Sequence, residues 1–280
     1  MRRGSSAAET ATRGTSGPRW LSENPDRAWA EKFFLIYTPI WILQTAVGVT
    51  LGFSTKLGDA GMLVHTGLVA LPFILVPLLL RRGAESGLRW HQTFWFKAVV
   101  YISILSLFGN YFGTEYFFDV LGMEYSYPKL RLYFDSALLG SGAQAVPLIM
   151  YPLTVAYYLT YHTTAAIVLR RVKTSRIGLV ALAFPLAVVL VSFGWAWLET
   201  FAMANPMMAD VFRYQDKSRM LAYGSLVYST HFLASFPIFL HLDEKPGSRW
   251  TLLQTIAAAM ASSLLTLFLL DLIARAIGHI

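Results

Sequence analysis

The chain has 280 residues, of which 55% are hydrophobic and 14% charged, with a net charge of +7 and no cysteine. A charged fraction well below the ~25% of soluble domains, together with a mean hydropathy of +0.50, points to a polytopic membrane protein. The missing cysteines exclude disulfides, zinc–thiolate sites, iron–sulfur clusters and a Cys nucleophile, and no soluble basic face suited to nucleic acid is evident.

In chain order, residues 1–17 are mostly Gly, Ser, Ala, Thr and Arg and are predicted to be a disordered tail. No apolar run of signal-peptide length follows the first arginines. Residues 18–280 are predicted to form a single transmembrane domain. The stretch Arg19–Lys32 mixes Trp with charges and reads as an interfacial segment, with Asn24 or Asp26 capping a helix that has Pro25 near its start. Seven apolar runs follow, at 33–53, 62–80, 95–118, 147–169, 177–199, 221–241 and 251–274. They predict an all-α, polytopic membrane helix bundle of about seven transmembrane helices. Asp243 and Glu244, beside Lys245, read as a solvated loop. Of the 23 Lys and Arg residues, sixteen fall on the side of the N-terminal tail, so the N-terminus is expected in the cytoplasm and the C-terminus on the far side.

Polar groups inside apolar runs carry the functional signal. Glu199 ends the otherwise apolar run that starts at Ile177, where an unpaired carboxylate costs several kcal/mol of lost hydration. It reads either as a helix-end anchor or interhelical hydrogen bond, or as a carboxyl held neutral to donate a proton. Glu115, Glu199, Asp271 and His65 are expected at one level, in the non-cytoplasmic half, with His162 deeper and His231 midway along its run. Tyr111 and Glu115 are four apart and share a helix face, and Asn110 and Thr114 line the adjacent one. Tyr158 precedes His162, and Trp195 precedes Glu199, by one turn. Each has a plainer reading: aromatic residues as interfacial anchors, His as a helix–helix hydrogen bond, Asp271 reaching the headgroups.

Negative signals narrow the chemistry. No two of His65, His162, His231 and the carboxylates have helical metal-ligand spacing within one run, so no metal site or histidine box is read. There is no Gly-rich phosphate loop and no GxSxG, and the last run has no Lys for a retinal Schiff base. The absence of an evident internal repeat weakens a transporter that would use Glu115 and Glu199 as a relay.

Several segments carry a closer resemblance. They are Trp20–Pro25, Phe33–Pro39 with Trp41, Gly109–Phe112, Tyr116–Phe118, Val120–Gly122, Tyr161–His162, Leu169–Arg171, Leu198–Thr200 with Ala204–Asn205, Ser235–Pro237 and Asp243–Glu244. In these runs of polar and aromatic residues, from about Trp20 to Arg275, the chain resembles the cycloeucalenol cycloisomerase family. The resemblance implies a membrane isomerase that opens the 9β,19-cyclopropane ring of cycloeucalenol to give obtusifoliol, without redox cofactor or metal. A proton reaches C19, positive charge develops at C9, and the C8 proton leaves. Glu199 is then the expected proton donor and His162 the acceptor or relay. Asn205 orients the acid or binds the sterol hydroxyl, and Trp195, Trp197 and Tyr111 offer ring faces to the cation. Asn110 and Asp271 complete the candidate substrate contacts. Glu115 is a third candidate for proton transfer, although plant members carry His there, and His65 and His231 have no clear counterparts. The expected partners are a cyclopropyl sterol and membrane lipid, with no nucleic acid. The expected membrane is the endoplasmic reticulum in a eukaryote or the cytoplasmic membrane in a bacterium. The rival from another class is a sterol- or lipid-binding membrane protein without turnover.

Overall fold

The Asn24 side chain accepts a hydrogen bond from the Asp26 amide at 3.2 Å, with Pro25 in the first helical position, and so opens the first long helix. The computed structural model describes residues 17–80, 87–175 and 179–280. It is mostly helical. Helix α1 runs Pro25–Thr50, followed by a single turn α2 (Phe53–Lys56) and by α3 (Asp59–Ala70) and α4 (Pro72–Leu80). Next come α5 (Phe94–Phe108), a π-helical turn Gly109–Gly113 and α6 (Thr114–Leu121), which together make one continuous rod. Strand β1 (Met123–Tyr125) precedes α7 (Met150–Lys173) and α8 (Val180–Met203). Strand β2 (Phe212–Tyr214), α9 (Lys217–His241) and α10 (Leu252–Ile277) complete the chain. The predicted all-α class therefore needs one amendment: β1 and β2 form a short antiparallel ribbon, with Met123 opposite Tyr214 and Tyr125 opposite Phe212.

Each of the seven predicted runs falls on a helix, but the helices differ in kind. Four are long and apolar enough to cross a membrane: α1, the α5–α6 rod, α8 and α10. A fifth is added if α3 and α4, bent by 42° at Leu71, count as one span. The expected count of about seven does not follow from length and composition, because α7 and α9 carry Tyr, Thr, Ser and His along their length. These two helices are central. Helix α7 packs against α1, α3, α5, α8 and α9, and α9 against α6, α7, α8 and α10, so groups such as Thr160, His162 and Ser235 find partners inside the bundle. The outer helices turn apolar side chains outward, as Leu182, Leu186, Leu190 and Phe193 of α8 do.

The charged residues near the ends of the runs also depart from expectation. Asp243 and Glu244 are not a solvated loop. Asp243 is 1% exposed and pairs with Lys97 of α5, while its Oδ1 accepts from the Trp250 amide at 2.7 Å. Glu244 pairs with Arg170 of α7 at 2.6 Å and with Arg27 of α1 at 3.2 Å. Glu31 accepts from Arg27 at 2.8 Å and from Arg170 at 2.5 Å. The Arg27 guanidinium also donates to the carbonyls of Leu240 and Leu242, which fixes the end of α9. This network explains why α1 begins eight residues before the predicted run: Asp26, Arg27 and Glu31 are buried and paired rather than interfacial. It ties the start of α1 and α5 to the end of α7 and α9, so these helices alternate in direction. At the opposite end, Arg219 of α9 donates to the carbonyls of Val120, Ile277 and Gly278. The predicted tail 1–17 lies outside the described residues except for Gly17, as do Arg81, Arg82 and Arg176 of the charge count.

Removing one partner of a fully buried ion pair leaves the other charge stranded. Lys97→Met is therefore expected to destabilise the protein by about 3–5 kcal/mol, against about 0–1 kcal/mol for Arg213→Ala at the exposed pair with Glu124, measured by thermal unfolding in detergent. Burial pushes the Glu244 carboxyl up, but the hydrogen bond from Arg170 and the charges of Arg27 and Arg170 outweigh it and leave the group below its ordinary value. Its stabilising effect is thus present above the ordinary carboxylate range and is lost as pH falls through the lowered value. Unfolding temperatures should drop below about pH 4, and Glu244→Gln should flatten that acid limb.

Candidate functional site

Glu199 sits four residues before the end of α8, 9% exposed, with its Oε2 accepting a hydrogen bond from the Tyr161 hydroxyl of α7. No cation pairs with it among the described residues. The Tyr161 ring is fixed in turn by stacking on Trp195, with centroids 4.5 Å apart and planes 28° apart. Trp195 thus touches the partner of the acid from one turn earlier on α8.

Two chambers meet at this carboxyl. The wider has about 880 Å³ of free space and is bounded by α1, α2, α3, α7 and the end of α8. Its wall is largely apolar, with Trp41, Val49, Met62, Leu153 and Met203, and it carries His65 of α3 as well as Glu199. The narrower chamber has about 570 Å³ of free space and more polar walls, including Asn110, Thr114, Thr154, Tyr228 and His231. Glu199, Tyr157 and Met203 line both. The π-helical turn serves the second chamber. Asn110, buried at 6% exposure, donates to the Ser106 carbonyl at 2.9 Å and to the Thr154 hydroxyl at 3.0 Å. Gly113 leaves room for His231, since a Cβ there would come within 3.1 Å of its Nε2.

The other expected site residues are dispersed. His162 is not among the residues lining either chamber. Its Nδ1 meets the Tyr158 carbonyl at 2.7 Å and must donate there, and its Nε2 lies 2.7 Å from Ser235 Oγ, a hydroxyl that also donates to the His231 carbonyl at 2.6 Å. Both nitrogens are occupied within a cage that includes Phe236 and Phe239, and the ring joins α7 to α9. Glu115 and Asp271 lie together in a separate pocket with Tyr116, Asp119, Gly140 and Arg275. Asp271 pairs with Arg275 at 2.9 Å, and the Gly140 backbone lies over the Glu115 carboxyl. The expected single level of Glu115, Glu199, Asp271 and His65 thus resolves into two pockets, Glu115 with Asp271 and Glu199 with His65. Tyr111 packs on Phe112 and Phe134 and lines neither chamber. Trp197 is 53% exposed and stacks on Phe201 at the outer surface of α8. Asn205 is exposed and caps the turn at Pro206, accepting from the Met207 amide at 2.9 Å.

Reasoning from sequence missed Tyr161, which lies outside the helical spacings that related Tyr158 to His162 and Trp195 to Glu199. It also set aside His65 and His231, and each of these lines a chamber that Glu199 shares. Their signal was the same as that of Glu199, a lone titratable group within an apolar run.

The fold is thus a helical bundle with four or five helices long and apolar enough to cross a membrane, and among the described residues its buried acid in a largely apolar chamber has no cation beside it. The chain is 34% identical over 266 residues to the cycloeucalenol cycloisomerase of Arabidopsis thaliana, covering 92% of this chain and 90% of that protein. No family model and no solved structure matches it. The chain belongs to the cycloeucalenol cycloisomerase family, and it is an isomerase.

Tyr161→Phe removes the hydroxyl that donates to Glu199 and leaves a buried acceptor without its partner. The expected loss is about 1–3 kcal/mol in thermal unfolding, whereas Trp197→Ala on the outer face should stay within about 0.5 kcal/mol.

Proposed function

We propose that the chain opens the 9β,19-cyclopropane ring of cycloeucalenol to give obtusifoliol, with Glu199 as the proton donor. The name of the relative supports the substrate. The observation that carries the mechanism is the Glu199 carboxyl, buried against a largely apolar chamber with the Tyr161 hydroxyl as its one hydrogen-bond partner among the described residues.

In this reading the sterol lies in the wider chamber with its strained ring toward Glu199. The acid O–H gives its proton to C19 while the C9–C19 bond breaks, and positive charge is left at C9. The C8–H bond pair then forms the C8–C9 double bond, and the C8 proton leaves to a base. The Tyr161 hydroxyl stabilises the carboxylate left after transfer, a charge-assisted hydrogen bond in a water-poor site. The rings of Tyr157, Tyr161 and Trp41 present π-faces toward the developing cation, each worth about 0.5–2 kcal/mol. Isomerisation returns every atom to the product, so no redox partner enters the balance.

The site assignments change accordingly. His162 acts by holding α7 to α9, and Trp195 by fixing Tyr161. Glu115 and Asp271 serve the loop around Gly140 rather than the sterol. For topology, the reading keeps seven crossings, with α7 and α9 as central helices screened from lipid by their neighbours. The N-terminus lies in the cytoplasm, and the membrane is the endoplasmic reticulum or a bacterial cytoplasmic membrane.

The test is to express the protein in cells that lack such an enzyme, supply cycloeucalenol, and assay obtusifoliol by mass spectrometry. Product is expected from the wild type. Glu199→Gln should insert and bind sterol but lose about 10²–10⁴-fold in turnover. Near-normal turnover by that variant removes Glu199 from the donor role. Sterol binding without any product from the wild type establishes the non-catalytic binding protein instead.

A further inference from the structure

Ring opening requires a base for the C8 proton. The candidate expected from sequence, His162, has both ring nitrogens engaged and lines neither chamber. His231 lines the narrow chamber and not the wide one. His65 is placed differently. It stands on the α3 wall of the wide chamber, while Glu199 and Tyr161 stand on the wall made by α7 and α8.

The His65 imidazole is held by shape rather than by hydrogen bonds. Its ring meets the edge of Phe53 at 5.2 Å between centroids, with planes at 89°. Its Nε2 and Cε1 lie over Gly48 of α1, where a Cβ would come within 2.7 and 2.9 Å of them. Gly48 thus leaves the space that the ring fills, and it lines the same chamber. The hydrogen bond at this residue is to its backbone carbonyl, from Gln44 at 3.4 Å. Among the described residues neither ring nitrogen has a hydrogen-bond partner. An imidazole with a free nitrogen, in a chamber otherwise walled largely by apolar groups, is suited to take a proton from the chamber's occupant.

We infer that His65 is the catalytic base that accepts the C8 proton, acting across the wide chamber from Glu199; this rests on the reaction proposed above. The balance closes. Glu199 gives one proton to C19, and the C9–C19 bond breaks. The C8–H electrons form the C8–C9 double bond, and the C8 proton binds neutral His65. After turnover, imidazolium and carboxylate face one chamber, and proton return from His65 to Glu199 resets both groups.

The position of the double bond tests this. A C9 cation has hydrogens on C8 and also on C11, and a placed base selects between them. His65→Gln should lower turnover about 10²–10⁴-fold and raise the fraction of product with a C9–C11 double bond. Gly48→Ala keeps the imidazole but pushes it aside, and should shift the isomer ratio in the same direction. It is the decisive variant should His65→Gln fail to insert. Exogenous imidazole should restore rate and the C8–C9 product to His65→Ala. Glu199→Gln should lower the total while leaving the ratio unchanged. Each product is separated by gas chromatography with mass spectrometry, using full-length protein in membranes. Wild-type turnover with an unchanged ratio and near-normal rate in both His65→Gln and Gly48→Ala overturns the inference and leaves the reaction standing. A wild type that opens no ring overturns the reaction itself.

Discussion

Hydrocarbon neither donates nor accepts a hydrogen bond, so every polar group carried into the bundle needs a partner within it. That constraint orders the structure. It sends the most polar helices, α7 and α9, to the centre, where Thr160 meets Trp41 and Thr38 of α1 and His162 meets Ser235. Tyr101 of α5 bonds Ser262 of α10 at 2.7 Å for the same reason. The outer helices satisfy the constraint by having little to satisfy, and their exposed faces are Leu, Ile, Val and Phe. Helices α7 and α9, read from sequence as two more apolar runs, are thus the ones most enclosed by other helices.

The same constraint explains how much was legible. The seven helical stretches follow from apolar runs and loop signals, and the cap at Asn24 from its residue type and Pro25. The burial of Asp243 and Glu244 does not follow, because a short charged loop beside Lys245 has the composition of a solvated turn. Only the arrival of Arg27, Lys97 and Arg170 from three other helices makes it an internal ion network, and pairing at sequence separations above 70 leaves no local pattern. Glu199 was legible as an anomaly, since an acid in an apolar run is costly wherever its helix packs. Tyr161 was not, because its contact to Glu199 spans 38 residues.

Helical spacing fixed which residues share a face, but not what each face meets. Asn110 and Thr114 turn together to the narrow chamber. Tyr111 turns to Phe134, and Glu115 lies under Gly140, in the loop between β1 and α7. One segment therefore supplies two separate sites, and a count of polar residues per helix would merge them. The π-helical turn between α5 and α6 sits where these sites diverge, and its two glycines bring the backbone close to His231.

Buried carboxyls at the two ends of the bundle show how partners decide role. Glu31 is bracketed by two guanidiniums, and any proton there would break an ion pair that joins α1 to α7. Its geometry is spent on holding helices together. Glu199 is also buried, but among the described residues it has no cation beside it, and its partner is a phenol that serves either protonation state of the acid. Burial makes both groups costly, and the difference lies in what offsets that cost. For Glu31 the offset is the pair of guanidiniums of Arg27 and Arg170. For Glu199 it is a hydroxyl and the option of carrying a proton, and that option has a use only where an acceptor can come within reach. In the proposed reaction that acceptor is the sterol in the wide chamber beside Glu199.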